Sequence, residues 1–94
     1  MRSRYSAFVV LDTEYLLQTW HPRTRPSSLE LDAGMQWRRL DILSTRLGGP
    51  LDTEGTVEFA AHFTHDGERG VHHETSRFLR EDKRWYYLDG QMPA

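Results

Sequence analysis

TVEFAAHFT, the stretch at residues 56–64, alternates between apolar and polar side chains. Glu58 and His62 fall on its polar side. A repeat of two residues is typical of a β-strand that buries one face. The stretch therefore predicts a strand whose apolar face packs on a core. That apolar face consists of Val57, Phe59, Ala61 and Phe63.

The dipeptide Asp66-Gly67 follows this strand and predicts a two-residue hairpin turn, because such turns need positive φ angles. The turn pairs the strand at residues 56–64 with a returning strand over residues 71–80. In this register Phe59 lies opposite Glu74, and Val57 lies opposite Ser76.

A second turn at Asp82-Lys83 predicts a last strand over residues 85–89. The same counting places Phe78 opposite Tyr87 and Ser76 opposite Asp89. The inner face of the sheet then carries His72, Glu74, Ser76 and Asp89 beside its aromatic side chains. An earlier strand, Trp37–Leu47, is rich in apolar residues and ends at Gly48-Gly49-Pro50.

The first third of the chain is predicted to be helical. Tyr5, Phe8 and Val9 follow the i, i+3, i+4 spacing of one helix face. Asp12 is a candidate N-cap for a second helix that ends at His21-Pro22. The buried side of that second helix is expected to contain Tyr15, Leu16, Thr19 and Trp20. The predicted fold class is α+β, in one domain spanning residues 1–94.

Composition excludes several classes of protein. The 94 residues contain no cysteine, which rules out disulfides and thiolate metal sites within them. No apolar run approaches the roughly 18 residues of a membrane span. Twelve basic and fourteen acidic residues argue against bulk binding of nucleic acid. We therefore expect a cytoplasmic protein that binds neither membrane nor nucleic acid.

Glu74 is the central observation, because the predicted register turns its carboxylate toward aromatic side chains. A buried carboxylate needs a hydrogen-bond donor, a retained proton or a wet cavity. The end of the second helix could supply polar groups from Trp20 and His21, and the first strand could supply Arg38 or Arg39. Glu74 is then a structural anchor, or an acid or base at the floor of a pocket. A slip in register would instead leave it exposed.

Histidines and aromatic residues form the other candidate groups. A carboxylate–imidazole pair of Glu74 and His21 would suit proton transfer. Adjacent His72 and His73 point to opposite faces, so they cannot both bind one metal, and zinc needs three or four ligands. We therefore expect no metal and no cofactor. An aromatic group of Trp20, Trp37, Trp85 and Tyr87 either fills the core or lines a ligand cavity.

Several motifs in order resemble the central domain of the YchJ family of bacterial proteins. They begin with Arg2–Phe8, Thr19-Trp20-His21-Pro22 and Thr24-Arg25-Pro26. They continue through the strands with Val57–Ala61, Glu74-x-Ser76-x-Phe78 and Arg84–Gly90. The resemblance covers nearly the whole chain. It implies a cone-shaped fold like that of nuclear transport factor 2, with N-terminal helices on a curved antiparallel sheet of about four strands.

The resemblance also implies flanking zinc-binding segments of the SEC-C type, similar to the tail of the SecA translocase. This chain departs from that pattern because it contains no cysteine, so metal binding is not carried over to it. A further departure is Leu11, where the family often has glycine. The flanking segments of relatives suggest an accessory role near protein export or the ribosome.

We expect a non-enzymatic domain that binds a small ligand or a protein, and that forms a homodimer through its sheet. The alternative is a small isomerase, dehydratase or hydrolase that uses Glu74 as acid or base, with Tyr87, His21 and Asp89 as donors. The candidate catalytic residues are Glu74, His21 and Asp89. The candidate ligand-binding residues are Trp20, His21, Trp37, Phe59, Glu74, Ser76, Phe78 and Tyr87.

Overall fold

The computed structural model describes residues 2–92, in which two short helices precede four antiparallel strands. The helices are α1 (Arg2–Val9) and α2 (Thr13–Gln18), and the strands are β1 (Met35–Leu47), β2 (Glu54–His65), β3 (Glu68–Glu81) and β4 (Arg84–Gln91). The strands lie in the order β1-β2-β3-β4, so each strand pairs with its neighbours along the chain. The predicted α+β class and the four-stranded sheet are confirmed.

The first hairpin has the predicted register. Asp66 and Gly67 both have positive φ, at 51° and 81°, as a two-residue turn of this kind requires. Phe59 pairs with Glu74, and Val57 pairs with Ser76. The alternation in TVEFAAHFT was therefore sufficient to orient both β2 and β3.

The second hairpin departs from the predicted register after four residue pairs. Phe78 pairs with Tyr87 as expected, but a β-bulge follows, and Arg77 then pairs with Asp89. Ser76 consequently lies opposite Gly90, so the predicted pairing of Ser76 with Asp89 is wrong. The extra residue in β4 is Leu88, which is 3% exposed and therefore belongs to the core.

The turn between α1 and α2 closes the first helix. Leu11 has a positive φ of 58°. The Asp12 N–H donates to the carbonyl of Ala7 at 2.8 Å, and the Leu11 N–H donates to Phe8 at 3.3 Å, as in a Schellman motif. The Asp12 carboxylate then accepts from the Tyr15 N–H at 3.0 Å, so the predicted N-cap of α2 is confirmed.

The end of α2 is joined to β4 by backbone hydrogen bonds. The Tyr87 N–H donates to the Thr19 carbonyl at 2.8 Å, and the His21 N–H donates to the Tyr87 carbonyl at 2.7 Å. These two bonds, together with contacts between α1 and β1, fix both helices over one face of the sheet. We call this side the helix-covered face.

The core is small and contains polar groups. Its buried apolar residues are Ala7, Leu16, Phe59, Ala61 and Leu88, and its buried polar residues are Arg4, His21 and Ser76. The expected buried stripe of α1 is partly wrong, because Val9 is 48% exposed whereas Arg4 is 5% exposed. No helix within residues 2–92 is both long and apolar enough to cross a bilayer.

Candidate functional site

A cavity of about 320 Å³ lies between the helices and the helix-covered face. We call it the central cavity. On the side of the helices its wall is formed by Arg4, Tyr5 and Phe8 of α1 and by Trp20, which follows α2. Its sheet wall is formed by Met35, Trp37, Phe59, Ala61, His72, Glu74, Ser76 and Tyr87. The cavity therefore combines an aromatic lining with a compact set of polar groups.

Glu74 points into this cavity, and its side chain is 14% exposed. Three side chains supply donors to its two oxygens. Oε1 lies 3.0 Å from Nε2 of His72, while Oε2 accepts from the hydroxyls of Ser76 and, at 3.4 Å, Tyr87. The carboxylate thus has the hydrogen bonds that a buried acid needs.

The missing side chain of Gly90 makes room for this acid. A Cβ atom added at Gly90 would overlap the carboxyl group of Glu74. The bulge in β4 is the reason that a glycine stands there, since it places Gly90 rather than Asp89 opposite Ser76. The position of the Glu74 carboxyl group therefore depends on a register shift between β3 and β4.

Tyr87 contributes a hydroxyl that stays protonated. Burial raises the pKa of Tyr87 well above its ordinary value, and the nearby charge of Glu74 raises it further. A protonated phenol donates its hydrogen to Oε2 of Glu74. Tyr87 is thus a fixed donor in the wall of the cavity.

His21 does not meet Glu74, so the predicted pair of these two residues does not form. Its Nε2 lies 2.7 Å from Glu81, and its Nδ1 accepts from the Arg23 N–H at 3.1 Å. The imidazole that contacts Glu74 belongs to His72. The available signal was its position two residues before Glu74 on β3, which puts both side chains on the same face of the sheet.

Asp89 also lies apart from the network around Glu74. The bulge pairs it with Arg77, whose Nε donates to the Asp89 carboxylate at 2.6 Å. This hydrogen bond lowers the pKa of Asp89 and raises that of Arg77. Asp89 therefore forms an exposed ion pair with Arg77 that links β3 to β4.

The predicted aromatic residues divide between two cavities. Trp20, Trp37, Phe59 and Tyr87 line the central cavity. Phe78 and Trp85 instead line a second cavity of about 410 Å³ next to it. Tyr87 borders both, and its ring lies 5.0 Å from Trp20 and 5.8 Å from Phe78 between centroids.

Arg4 is the site residue that the sequence reasoning missed. It was not among the candidate site residues, yet it is buried and borders both cavities. Its guanidinium carbon lies 4.6 Å from the centroid of the Tyr87 ring and 5.4 Å from that of Trp20. The available signal was its spacing of three residues from buried Ala7 on α1. Neither Arg38 nor Arg39 lines the central cavity.

Two histidines of the sheet each contact a carboxylate. His62 lies 3.0 Å from Asp41, and His73 lies 2.7 Å from Glu58. Among residues 2–92, no group of three or more potential ligands has the geometry of a metal site.

Relatives share this sequence over almost the whole chain. A UPF0225 protein of Streptomyces coelicolor is 54% identical over 92 residues, which cover 98% of this chain and 71% of that protein. A UPF0225 protein of Bordetella pertussis is 50% identical over 93 residues, which cover 98% of this chain and 68% of that protein.

Two solved structures share the fold. A SEC-C motif containing protein from Rhodopseudomonas palustris has a TM-score of 0.84 and 31% identity, and the match covers 100% of this chain and 76% of that one. A SEC-C motif containing protein from Psychrobacter arcticus has a TM-score of 0.75 and 28% identity, with 100% and 59% covered. The family described as "YchJ, middle NTF2-like domain" matches residues 1–90. Helices, sheet and sequence together lead to one assignment: the chain belongs to the YchJ family and contains its middle, nuclear transport factor 2-like domain.

Proposed function

We propose that this domain binds a small molecule or a short protein segment in the central cavity and does not transform it chemically. The observation that carries the proposal is that three hydrogen-bond donors hold Glu74, the acidic side chain of the cavity wall. Its oxygens already accept from Ser76, His72 and Tyr87. These bonds fix the carboxylate in the wall and occupy most of its acceptor sites, whereas a general base must direct a lone pair at the substrate. Glu74 is therefore an anchor that joins β3 to β4.

The lining supports binding of a partly apolar ligand. Tyr5, Phe8, Trp37 and Phe59 supply aromatic surface, and the polar lining includes Glu74 and Arg4. Sites for small molecules commonly combine a mainly apolar wall with a few fixed polar groups. The cavity is also within the usual size range for such sites.

A fragment titration followed by ¹⁵N–¹H NMR tests the proposal. We expect shifts at cavity residues such as Trp37 and Phe59. Substitution Ala61→Leu should remove them by filling the cavity, because Ala61 is buried in its wall. The matched control is Ala60→Leu on the opposite side of β2, which should retain the shifts. A library that perturbs no cavity residue would contradict the proposal.

The second candidate is a small isomerase, dehydratase or hydrolase with Glu74 as acid or base. The contact between His72 and Glu74, 3.0 Å long, favours it, because an imidazole can relay a proton to or from a carboxylate. Prolonged incubation of a bound fragment with the protein separates the two candidates. Conversion that is lost in Glu74→Gln would indicate an enzyme, whereas a ligand recovered unchanged indicates binding.

A cytoplasmic location is part of this proposal. Fractionation of bacterial cells that express the tagged chain tests it, and recovery in the soluble cytoplasmic fraction is the expected result.

A further inference from the structure

Arg4 carries a charge that its surroundings do not pair with a carboxylate. Its side chain is among the most buried in the protein, with 5% of the residue exposed. Within residues 2–92, the arginines that form ion pairs with acidic side chains are Arg39 and Arg77. A buried charge without a counter-ion is costly. Burial accordingly lowers the pKa of Arg4, although an arginine keeps its proton at neutral pH.

Only one edge of the Arg4 guanidinium is used by the chain. Nη1 donates to the Leu16 carbonyl at 3.0 Å and to the Thr19 hydroxyl at 2.5 Å, which caps the end of α2. Nη2 and Nε donate to no acceptor among residues 2–92. The rings of Trp20 and Tyr87 stabilise the positive charge by cation–π contact, but rings supply no acceptor for N–H groups.

The chain leaves hydrogen-bond donors unpaired beside the central cavity. Three donors already occupy most of the acceptor sites of Glu74. The indole N–H of Trp20 is buried and has no hydrogen-bond partner in the described part of the chain. A ligand that pairs with the free N–H groups of Arg4 must bring acceptor oxygens, whereas an amine would bring further donors.

The charges and the aromatic side chains of the cavity wall restrict the chemical class of the ligand further. Arg4 is the one arginine or lysine in the wall, and the charge of Glu74 acts on it across the cavity. One cation beside one anion suits a singly charged ligand better than a doubly charged phosphate. The remaining wall is aromatic, with Tyr5, Phe8 and Trp37. The body of the ligand should therefore be apolar.

We propose that the central cavity binds a monocarboxylate with an aromatic or apolar body, whose carboxylate is held by the free edge of Arg4. This inference rests on the proposed ligand-binding function and adds the chemical class of the ligand. A planar guanidinium can pair with a carboxylate through two parallel hydrogen bonds.

Three probes of one shape test the role of charge in the wild-type protein. They are 4-phenylbutyrate, its amide 4-phenylbutyramide and the amine 4-phenylbutylamine, each titrated and followed by NMR at the Trp20 and Trp37 indoles. We expect the carboxylate to bind at least about tenfold more tightly than the amide, because a hydrogen bond to a charged group is the stronger one. The amine should bind more weakly than the amide.

Substitution Arg4→Gln should abolish the preference for the carboxylate, and Arg2→Gln, at an exposed position on the same helix, should retain it. Undiminished preference in a folded Arg4→Gln variant would overturn the assignment. If Arg4→Gln fails to fold, the comparison of the three probes on wild-type protein still decides. Equal binding of all three probes would overturn the carboxylate inference but leave a ligand cavity, whereas binding of none at millimolar concentration would overturn both.

A fourth probe identifies the source of the carboxylate. Acetyl-Ala-Ala-Phe presents the same group at the end of a peptide. Tighter binding than that of 4-phenylbutyrate would support a protein C-terminus as the ligand, and weaker binding would support a free acid.

Discussion

Glu74 shows at the residue scale how an acid is kept inside a small β-sheet protein. Two of its donors, His72 and Ser76, lie two residues away on the same strand and therefore on the same face. The third, Tyr87, comes from β4, next to the glycine that leaves space for the carboxyl group. The local sequence of β3 thus supplies most of the network that holds its own acid.

Gly90 gives the first prediction at this scale. Substitution Gly90→Ala should destabilise the protein by about 1–3 kcal/mol, because the new methyl group overlaps the carboxyl group of Glu74. Urea unfolding measures the change in free energy. The control is the same substitution in a Glu74→Ala background, where the overlap is absent and the cost should fall by more than half. An equal cost in both backgrounds would show that the two residues do not interact.

Leu11 gives the second prediction. Its φ of 58° lies in the left-handed region, which glycine adopts without the steric penalty of a Cβ atom. Leu11 is 42% exposed, so little packing is lost when its side chain is removed. Leu11→Gly should therefore raise the free energy of unfolding by about 0.5–1 kcal/mol. Thermal unfolding measures this, and a lower melting temperature than wild type would disprove it.

At the scale of the elements, the bulge at Leu88 decides which residues of β4 face the cavity. Without it, Asp89 would stand opposite Ser76 and bring a second carboxylate next to Glu74. With it, Asp89 is directed to Arg77, and the core gains the leucine. One inserted residue thus separates an exposed ion pair from a buried hydrogen-bond network.

The ion pair between β3 and β4 gives a pH-dependent prediction. Arg77 lowers the pKa of Asp89 below its ordinary value of 3.8. The ion pair therefore contributes fully to stability above the ordinary pKa of Asp89. This contribution is lost as the pH falls through the lowered pKa. Arg77→Gln should be less stable than wild type at pH 7, and the difference should disappear in acid.

Urea unfolding of both proteins between neutral and acidic pH measures this difference. Arg80→Gln is the control, because the Arg80 guanidinium donates to the Pro50 carbonyl, which does not titrate. Its effect on stability should not change as Asp89 is protonated. A deficit of Arg77→Gln that persists at the lowest pH would contradict the prediction.

At the scale of the whole molecule, the sheet leaves apolar side chains on its outer strand. Within residues 2–92, β1 pairs with β2 alone, so its other edge offers free backbone donors and acceptors. Leu43 and Leu47 on this strand are 52% and 64% exposed. A second copy of the chain would cover both the edge and these leucines.

We therefore predict a homodimer that buries the β1 edge. Sedimentation at micromolar concentration should detect it, and the double substitution Leu43→Glu with Leu47→Glu should give monomers, because it places four carboxylates in one interface. Leu51→Glu is the control, since Leu51 is 97% exposed outside the strands. A wild-type protein that sediments only as a monomer would rule the dimer out.

Local patterns were sufficient for much of the fold. Period-two alternation and the Asp66-Gly67 turn gave the pairing of Phe59 with Glu74, because side chains alternate strictly along paired strands. Asp12 gave the start of α2, because capping involves only the next three residues. The inward direction of Glu74 follows from the same local rules.

Local patterns did not predict which side chains surround Glu74. The imidazole partner of Glu74 is His72 rather than His21, because the folded chain brings His21 to Glu81 instead. Asp89 lies outside the site because of a bulge in β4 that no local residue pattern predicted. Arg4 belongs to the site because α1 places its guanidinium over the ring of Tyr87, which is distant in sequence.

The sequence by itself determined the strands, their first register and the presence of an acid on the helix-covered face, because these depend on neighbours along the chain. Tertiary structure decided which side chains surround that acid and which charge lies free beside it. The reason is that burial and hydrogen bonding at the cavity join α1, β3 and β4, and their separations in space are set only when the helices close over the sheet.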